Sequence, residues 1–270
     1  NFDVDGYVSP DLTILAEHIT EGGLTQLSYQ QEPNQIIWGV RDDGELVGLT
    51  YQREQQVVAW HRHKFGGTFG SGASATGFGV CESVATIPTD NSEYQVYVIV
   101  KRTINSVTRR YVEYINNFDF DETDDTTFNF LDSQLNYSGS STDTITGLDH
   151  LEGQTVSILA DGSTHPDKTV SSGSITLDRN VTKAKVGLGY TSLLQTMRLD
   201  AGSQDGTSQG KTKRIFDISI RLYESIGVEV GPDLSNMERI PFRSSADAMD
   251  SGLGVFTGDK EVEFRGNYET

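Results

Sequence analysis

In the stretch GLDHLEGQTVSILADG, residues 147–162, Asp149, His150, Glu152 and Asp161 crowd around small and apolar residues. A histidine beside carboxylates is the usual material of general acid–base chemistry. The spacing argues for something plainer. Thr155, Ser157 and Ala160 interleave with Val156, Ile158 and Leu159, so a strand starts after Gly153 and stops at the Asp161-Gly162 turn. The acids and His150 then bracket that strand, where they bond local backbone groups, and Gly147, Gly153 and Gly162 mark the turns.

Other chemical patterns are incomplete. His61 and His63 in WHRH stand two apart, so on a strand they share a face and could share a metal, but no third ligand is evident. Asp119, Asp121, Thr123 and Asp125 suggest a calcium loop. An EF-hand starting at Asp119 would need glycine at 124 and glutamate at 130, where Asp124 and Phe130 stand. GTSQGKT, residues 206–212, has three residues between Gly206 and Gly210 where a phosphate-binding loop has four. There is no G-x-S-x-G elbow, and the 39 acidic residues single out no carboxylate pair for glycoside cleavage. The expectation is a protein without catalytic residues or cofactor, with His61, His63, Asp119 and Asp121 as weak metal candidates. Trp38, Tyr51, Trp60 and Tyr97 could form a carbohydrate platform, although aromatics on short strands usually enter the core.

The elements that must hold these residues read almost entirely as β. Ile36 to Val40 end at Arg41-Asp42-Asp43-Gly44, a hairpin signal, and Leu46 to Tyr51 run back. Val57 to His61 lead into a glycine-rich loop, Lys64 to Gly79, followed by Ser83 to Pro88, Tyr94 to Val100 and Arg109 to Ile115. Ile36–Arg41 and Val96–Arg102 occupy equivalent places 60 residues apart, or 44 once the 16-residue loop is set aside. A period near 40 to 45 residues is the spacing of propeller blades. Residues 1–117 therefore read as one to two blades of a partial propeller-like sheet. An acidic linker at 118–125 follows, and 126–270 read as a β-sandwich-like module. Its strands are expected at 126–131, 155–159, 174–177, 184–188, 194–199, 214–222 and 262–264. Leu12 to Ile19 is the one expected helix.

The chain carries 39 acidic against 21 basic residues, a net charge of −18, which repels a phosphate backbone and disfavours sequence-specific nucleic-acid binding. Cys81 is the single cysteine, so no disulfide framework or cysteine zinc cage forms within the chain. No run of apolar residues is long enough for a spanning helix, and no signal peptide is evident. The start at Asn1, without methionine, suggests a processed or excised piece of a longer protein.

Several strings together carry a resemblance: SYQQEPNQIIWGVRDDGELVGLTYQREQQVVAWHRH, ESVATIP, VYVIVKRTINSVTRRYVEYI, GLDHLEGQTVSILADG, DAGSQDGTSQGKTKRI and IPFRSSADAMDSGLGVFTGDKEVEF. From about Ser9 to Phe264 the chain resembles the C-terminal half of bacteriophage and prophage structural proteins, similar in role to the tail nozzle (tail tubular B, or stabilisation) proteins of short-tailed phages. The resemblance implies a non-catalytic virion component, assembled in the bacterial host cytoplasm. It would form a homo-oligomeric ring around the DNA exit channel, contact other tail and neck proteins, and let DNA pass without sequence-specific binding. A host surface glycan is a further partner to expect of a tail protein, and a carbohydrate- or receptor-binding module is the alternative function. A polysaccharide-degrading enzyme is a more distant one. The insertion from Gly66 to Gly79 is longer than the family pattern and is a candidate contact element of its own.

Overall fold

The structure, a computed structural model, describes residues 9–116, 129–196, 212, 214–245, 247, 253 and 256–263. The fold is all-β, built from several antiparallel sheets. The chain divides into two compact units, one made of residues up to 161 with 165–191, the other of 162–164 with 192–270.

In the larger unit, β1 (Leu24–Gln30), β2 (Ile36–Arg41), β3 (Leu46–Gln52) and β4 (Val57–His63) form a four-stranded meander. The Asp43-Gly44 turn joins β2 to β3 with Gly44 at φ 85°, which a glycine reaches without steric cost. The strands β5 (Val80–Pro88), β6 (Tyr94–Ile104) and β7 (Val107–Ile115) form a second sheet. Ile36, Trp38, Val40 and Leu46 of the first sheet share one core with Val84, Val96, Val98 and Val100 of the second. The first sheet has the strand count and order of a propeller blade, and β2 and β6 are each the second strand of their sheet. No closed propeller forms among the described residues; the two sheets pack as a sandwich-like pair.

Next come β8 (Asp132–Thr146), β9 (Thr155–Ala160), β10 (Ser163–Thr169) and β11 (Ser174–Leu188), in the sheet order β10-β9-β11-β8. They enclose a second core of Ile145, Val156, Ile158, Ile175, Val181 and Val186, closed by Leu148 and Leu151 from a 3₁₀ turn at Asp149–Leu151. The expected linker at 118–125 lies outside the described residues. The two hydrophobic cores fall on either side of it, yet both belong to the larger unit, so the expected 126–270 module is divided between units.

In the smaller unit, β12 (Asp217–Ser225) pairs with β15 (Phe256–Glu263), and the short β13 (Glu229–Val230) pairs with β14 (Glu238–Arg239). Lys260 reaches over the Phe256 ring at 4.7 Å, and Arg221 forks onto Asp259 with bonds of 2.7 and 2.9 Å.

Three local expectations are corrected. Leu12–Ile19 is not an α-helix: only Glu17–Ile19 make a 3₁₀ turn. The Asp11 carboxylate accepts from both the backbone and the hydroxyl of Thr13, a local turn that competes with helix initiation, and eight residues are too few for a helix to sustain itself. Residues 129–131 are not strand, and the chain enters the sheet at Asp132 instead. Residues 194–196 are not strand either, with Leu193 and Leu194 exposed, and 197–199 lie outside the described residues.

Candidate functional site

Along β6, alternation sends Val96, Val98, Val100, Arg102 and Ile104 inward, so a guanidinium occupies a core position and is fully buried. Burying that charge is costly unless every donor is matched. Arg102 Nε donates to the Gly66 carbonyl at 2.7 Å, and Nη2 donates to Glu113 Oε2 at 3.1 Å. Nη1 donates to Glu113 Oε1 at 2.5 Å and to the Ser133 hydroxyl at 3.2 Å. The Ser133 hydroxyl itself donates to Glu113. Asp132 accepts the Gly66 N–H at 2.5 Å, so both backbone groups of Gly66 are held by side chains.

The glycines of the 66–79 segment make room for this cluster. A Cβ on Gly66 would sit 2.9 Å from the Leu188 side chain, and one on Gly67 or Gly79 would sit 3.0 Å from the Arg102 side chain. The base of the loop is closed by a bridge between Phe65 and Gly79, with Phe65 in the core. Farther out, Thr103 N–H donates to the Thr68 carbonyl at 2.8 Å, and Gly70 N–H donates to the Thr103 hydroxyl at 2.9 Å. The insertion is thus strapped along β6.

Burial pushes the Asp132 carboxyl up to about 6, and the Glu113 charge adds to the shift; the Gly66 N–H and the Arg102 charge oppose it. His150 Nε2 donates to the Ser133 carbonyl at 3.0 Å, and Tyr111 hydroxyl donates to the His150 carbonyl at 2.9 Å. His150 therefore reaches the backbone of Ser133 and not its hydroxyl, and the serine is bonded to a carboxylate and a guanidinium. No nucleophile–base pair is formed at this place; the cluster ties β6, β7, the glycine-rich loop and the start of β8 together.

The acids of 147–162 have turn duties. Glu152 accepts the N–H groups of Ser172 and Gly173 at 3.0 and 2.8 Å. Asp161 accepts from the N–H groups of Thr182 and Lys183 at 3.0 and 2.9 Å. The Asp149 carboxylate occupies the space a side chain at position 173 would need.

His61 and His63 do share a face of β4, hydrogen-bonded to each other at 2.6 Å. Gly48 lies across the ladder between Trp38 and His61, and a Cβ there would fall 2.2 Å from the His61 ring. That gap lets the Trp38 ring meet His63 at 5.1 Å and His61 at 5.8 Å between centroids. Burial lowers both histidines, His63 to about 4 with help from the His61 charge, so both are neutral near pH 7. His61 also contacts the Thr50 hydroxyl at 3.2 Å, leaving the pair inside an aromatic packing cluster. Among the described residues no third metal-type ligand joins them. Asp119 and Asp121 lie outside the described residues, as does all of GTSQGKT except Thr212.

The four aromatics do not form one platform. Trp38 is core, its indole N–H bonded to Gln30 Oε1 at 2.9 Å. Trp60 and Tyr51 lie on the opposite face of that sheet, with the Trp60 indole donating to the Leu12 carbonyl at 2.9 Å, and Tyr97 belongs to the second sheet. Cys81 is buried and its thiol is pushed up to about 12, which leaves it unreactive. No helix among the described residues is long and apolar enough to cross a membrane.

No protein-family model matches the chain, and no curated protein matches it.

Proposed function

We propose that the chain is a structural module of a phage tail, of the nozzle type, which assembles with copies of itself as a ring around the DNA channel and carries out no catalysis. It would be made in the host cytoplasm and reside in the virion. The resemblance in the sequence suggests the role, and the outer face of the β5–β6–β7 sheet is the observation that carries it. Val112 is 74% and Tyr114 56% exposed there, beside Tyr97 and Ile99, and β7 is the last strand of its sheet. Among the described residues no strand pairs with the outer side of β7, and an apolar sheet face ending in such an edge is suited to a neighbour. Lys101 and Arg110 lie at one end of this face and both pair there with Glu82, at 2.8 and 2.6 Å, so it is the apolar centre of the face that a second copy would cover, in a chain whose net charge is −18. The same acidity suits a channel wall, which must pass DNA without holding it.

Replacing both residues, Val112→Glu with Tyr114→Glu, adds charge to solvent-facing positions and leaves both described cores untouched. Light scattering after size exclusion is expected to show an oligomer for the parent chain and a folded monomer for the variant. An oligomer of unchanged mass in the variant would move the contact elsewhere, and a monomeric parent would remove the assembly role.

A further inference from the structure

The insertion between β4 and β5 lies along β6 by polar contacts. Phe65 enters the core at its base, but no side chain from residues 67–78 joins either described core. Gly66 is gripped from both sides, its N–H by Asp132 at 2.5 Å and its carbonyl by Arg102 at 2.7 Å. Thr103 holds the next turn, donating its N–H to the Thr68 carbonyl at 2.8 Å and accepting the Gly70 N–H at its hydroxyl at 2.9 Å. The Phe69 ring adds one contact, 4.3 Å from Lys101 Nζ. Six of the 14 residues from 66 to 79 are glycine, and Gly67 and Gly70 at φ 87° and 94° supply hinges close to the Gly66 anchor. A segment secured by a few hydrogen bonds and little apolar burial is of the kind that opens locally while the core persists.

One of these anchors titrates. The groups that face Asp132 are Arg102 from β6, Glu113 from β7 and Tyr190 beyond β11, whose hydroxyl is pushed up by burial and then by the Asp132 charge. The 3₁₀ turn before β9 brings His150, bonded to the carbonyl of Ser133, and the insertion brings the Gly66 N–H. Lys64, at the base of the insertion, is turned toward Glu45 at 3.9 Å. Arg102 is already claimed by Glu113 through two bonds, so an ionised Asp132 adds a charge that no cation among these groups matches. Burial accordingly holds the acid form up to about pH 6. Once ionised, the carboxyl is better solvated outside the enclosure, and moving there gives up the Gly66 N–H.

We infer that residues 66–79 form a pH-gated strap, shut along β6 while Asp132 keeps its proton and released when that proton passes to solvent. The base stays in place, because the Phe65–Gly79 bridge and the buried Phe65 ring do not involve Asp132. The strap belongs to one chain and stands apart from ring assembly. With the carboxyl at 3.8 when open and at about 6 when closed, closure is favoured at low pH and weakens as pH rises through about 6. Opening is then expected to increase about tenfold between pH 5 and pH 7.5.

Amide hydrogen exchange of the whole chain tests this, with each rate divided by that of an unstructured peptide at the same pH. The opening constants of Gly66, Gly70 and Thr103 are expected to rise about tenfold from pH 5 to pH 7.5. Urea well below the unfolding transition should leave them unchanged, as befits a local opening that exposes little surface. Ser92, whose N–H bonds the Thr89 carbonyl in a remote turn, should show no such rise. In Asp132→Asn, which keeps an acceptor and cannot ionise, the rise should vanish although His150 still titrates. Equal constants at the two pH values, a rise shared by Ser92, or one that persists in Asp132→Asn would each overturn the strap. So would strap amides that follow Val98 in their response to urea, since the opening would then be global unfolding.

Discussion

Arg102 has Val100 and Ile104 as its neighbours on the inward face of β6, and a charge in that register obliges the fold to bring partners to it. Glu113, Ser133 and the Gly66 carbonyl satisfy the guanidinium, and Asp132 is drawn into the same enclosure. Its carboxyl is raised from 3.8 to about 6, so between those values the folded state holds a proton that the unfolded chain releases. Stability from this group is complete below pH 3.8 and is lost as pH rises through about 6. A shift of that size corresponds to about 3 kcal/mol. Asp132→Asn keeps an acceptor for the Gly66 N–H and removes the titration. Denaturant unfolding at pH 4 and pH 7.5 is expected to show the variant gaining on the parent by up to that amount at the higher pH. An equal difference at both values would show that Asp132 is not held protonated.

This cluster was partly visible in VYVIVKRTI, where an arginine interrupts an apolar alternation. Its partners were not, because Glu113, Asp132 and Ser133 look like ordinary polar residues until β7 and β8 are set beside β6. The turn duties of Glu152 and Asp161 were legible, since carboxylates flanking a glycine-bounded strand have backbone N–H groups within reach. The shared face of His61 and His63 followed from strand periodicity alone. Their packing on Trp38 depended on Gly48, a residue of the neighbouring strand.

At the scale of elements, β1 and β5 meet through side chains and not through a continuous ladder. The Gln26 amide donates to the Val84 carbonyl at 2.9 Å and accepts the Val84 N–H at 3.2 Å, imitating a paired strand. Two residues on, the Ser28 hydroxyl accepts the Thr86 N–H at 3.0 Å. These contacts protect an edge that would otherwise present unpaired backbone groups. Leaving such groups unsatisfied costs about 1–3 kcal/mol each. Gln26→Ala with Ser28→Ala is therefore expected to lower stability by a few kcal/mol and to speed hydrogen exchange at Val84 and Thr86 ahead of Val98 on the central strand. Unchanged protection at those two amides would show that the side chains do not cap the edge.

Which strands the sequence revealed follows from how each is stabilised. β2, β3, β6 and β9 carry apolar runs and were readable. β8 is DSQLNYSGSSTDTIT, mostly serine, threonine and acid; it is a strand because it pairs along β11, and no local pattern announces that. β10 contains Pro166, which argues against a central strand, and it lies at the sheet's edge where a missing N–H is tolerated. The blade period at 36 and 96 reflected two sheets in which those segments hold the same place, without propeller closure among the described residues.

Among the described residues, the cluster around Arg102 and the carboxylates of Glu152 and Asp161 hold neighbouring strands and turns together, while Val112 and Tyr114 stand exposed on a sheet face. That distribution suits a part of an assembly. The −18 charge opposes close approach of copies at low salt, so assembly should strengthen as ionic strength rises and screening shortens the repulsion. Negative-stain electron microscopy of the purified chain at moderate salt tests the central proposal most directly. Class averages are expected to show closed rings with an open centre. A population of single particles of one-chain mass, unchanged at high protein concentration and high salt, would contradict it.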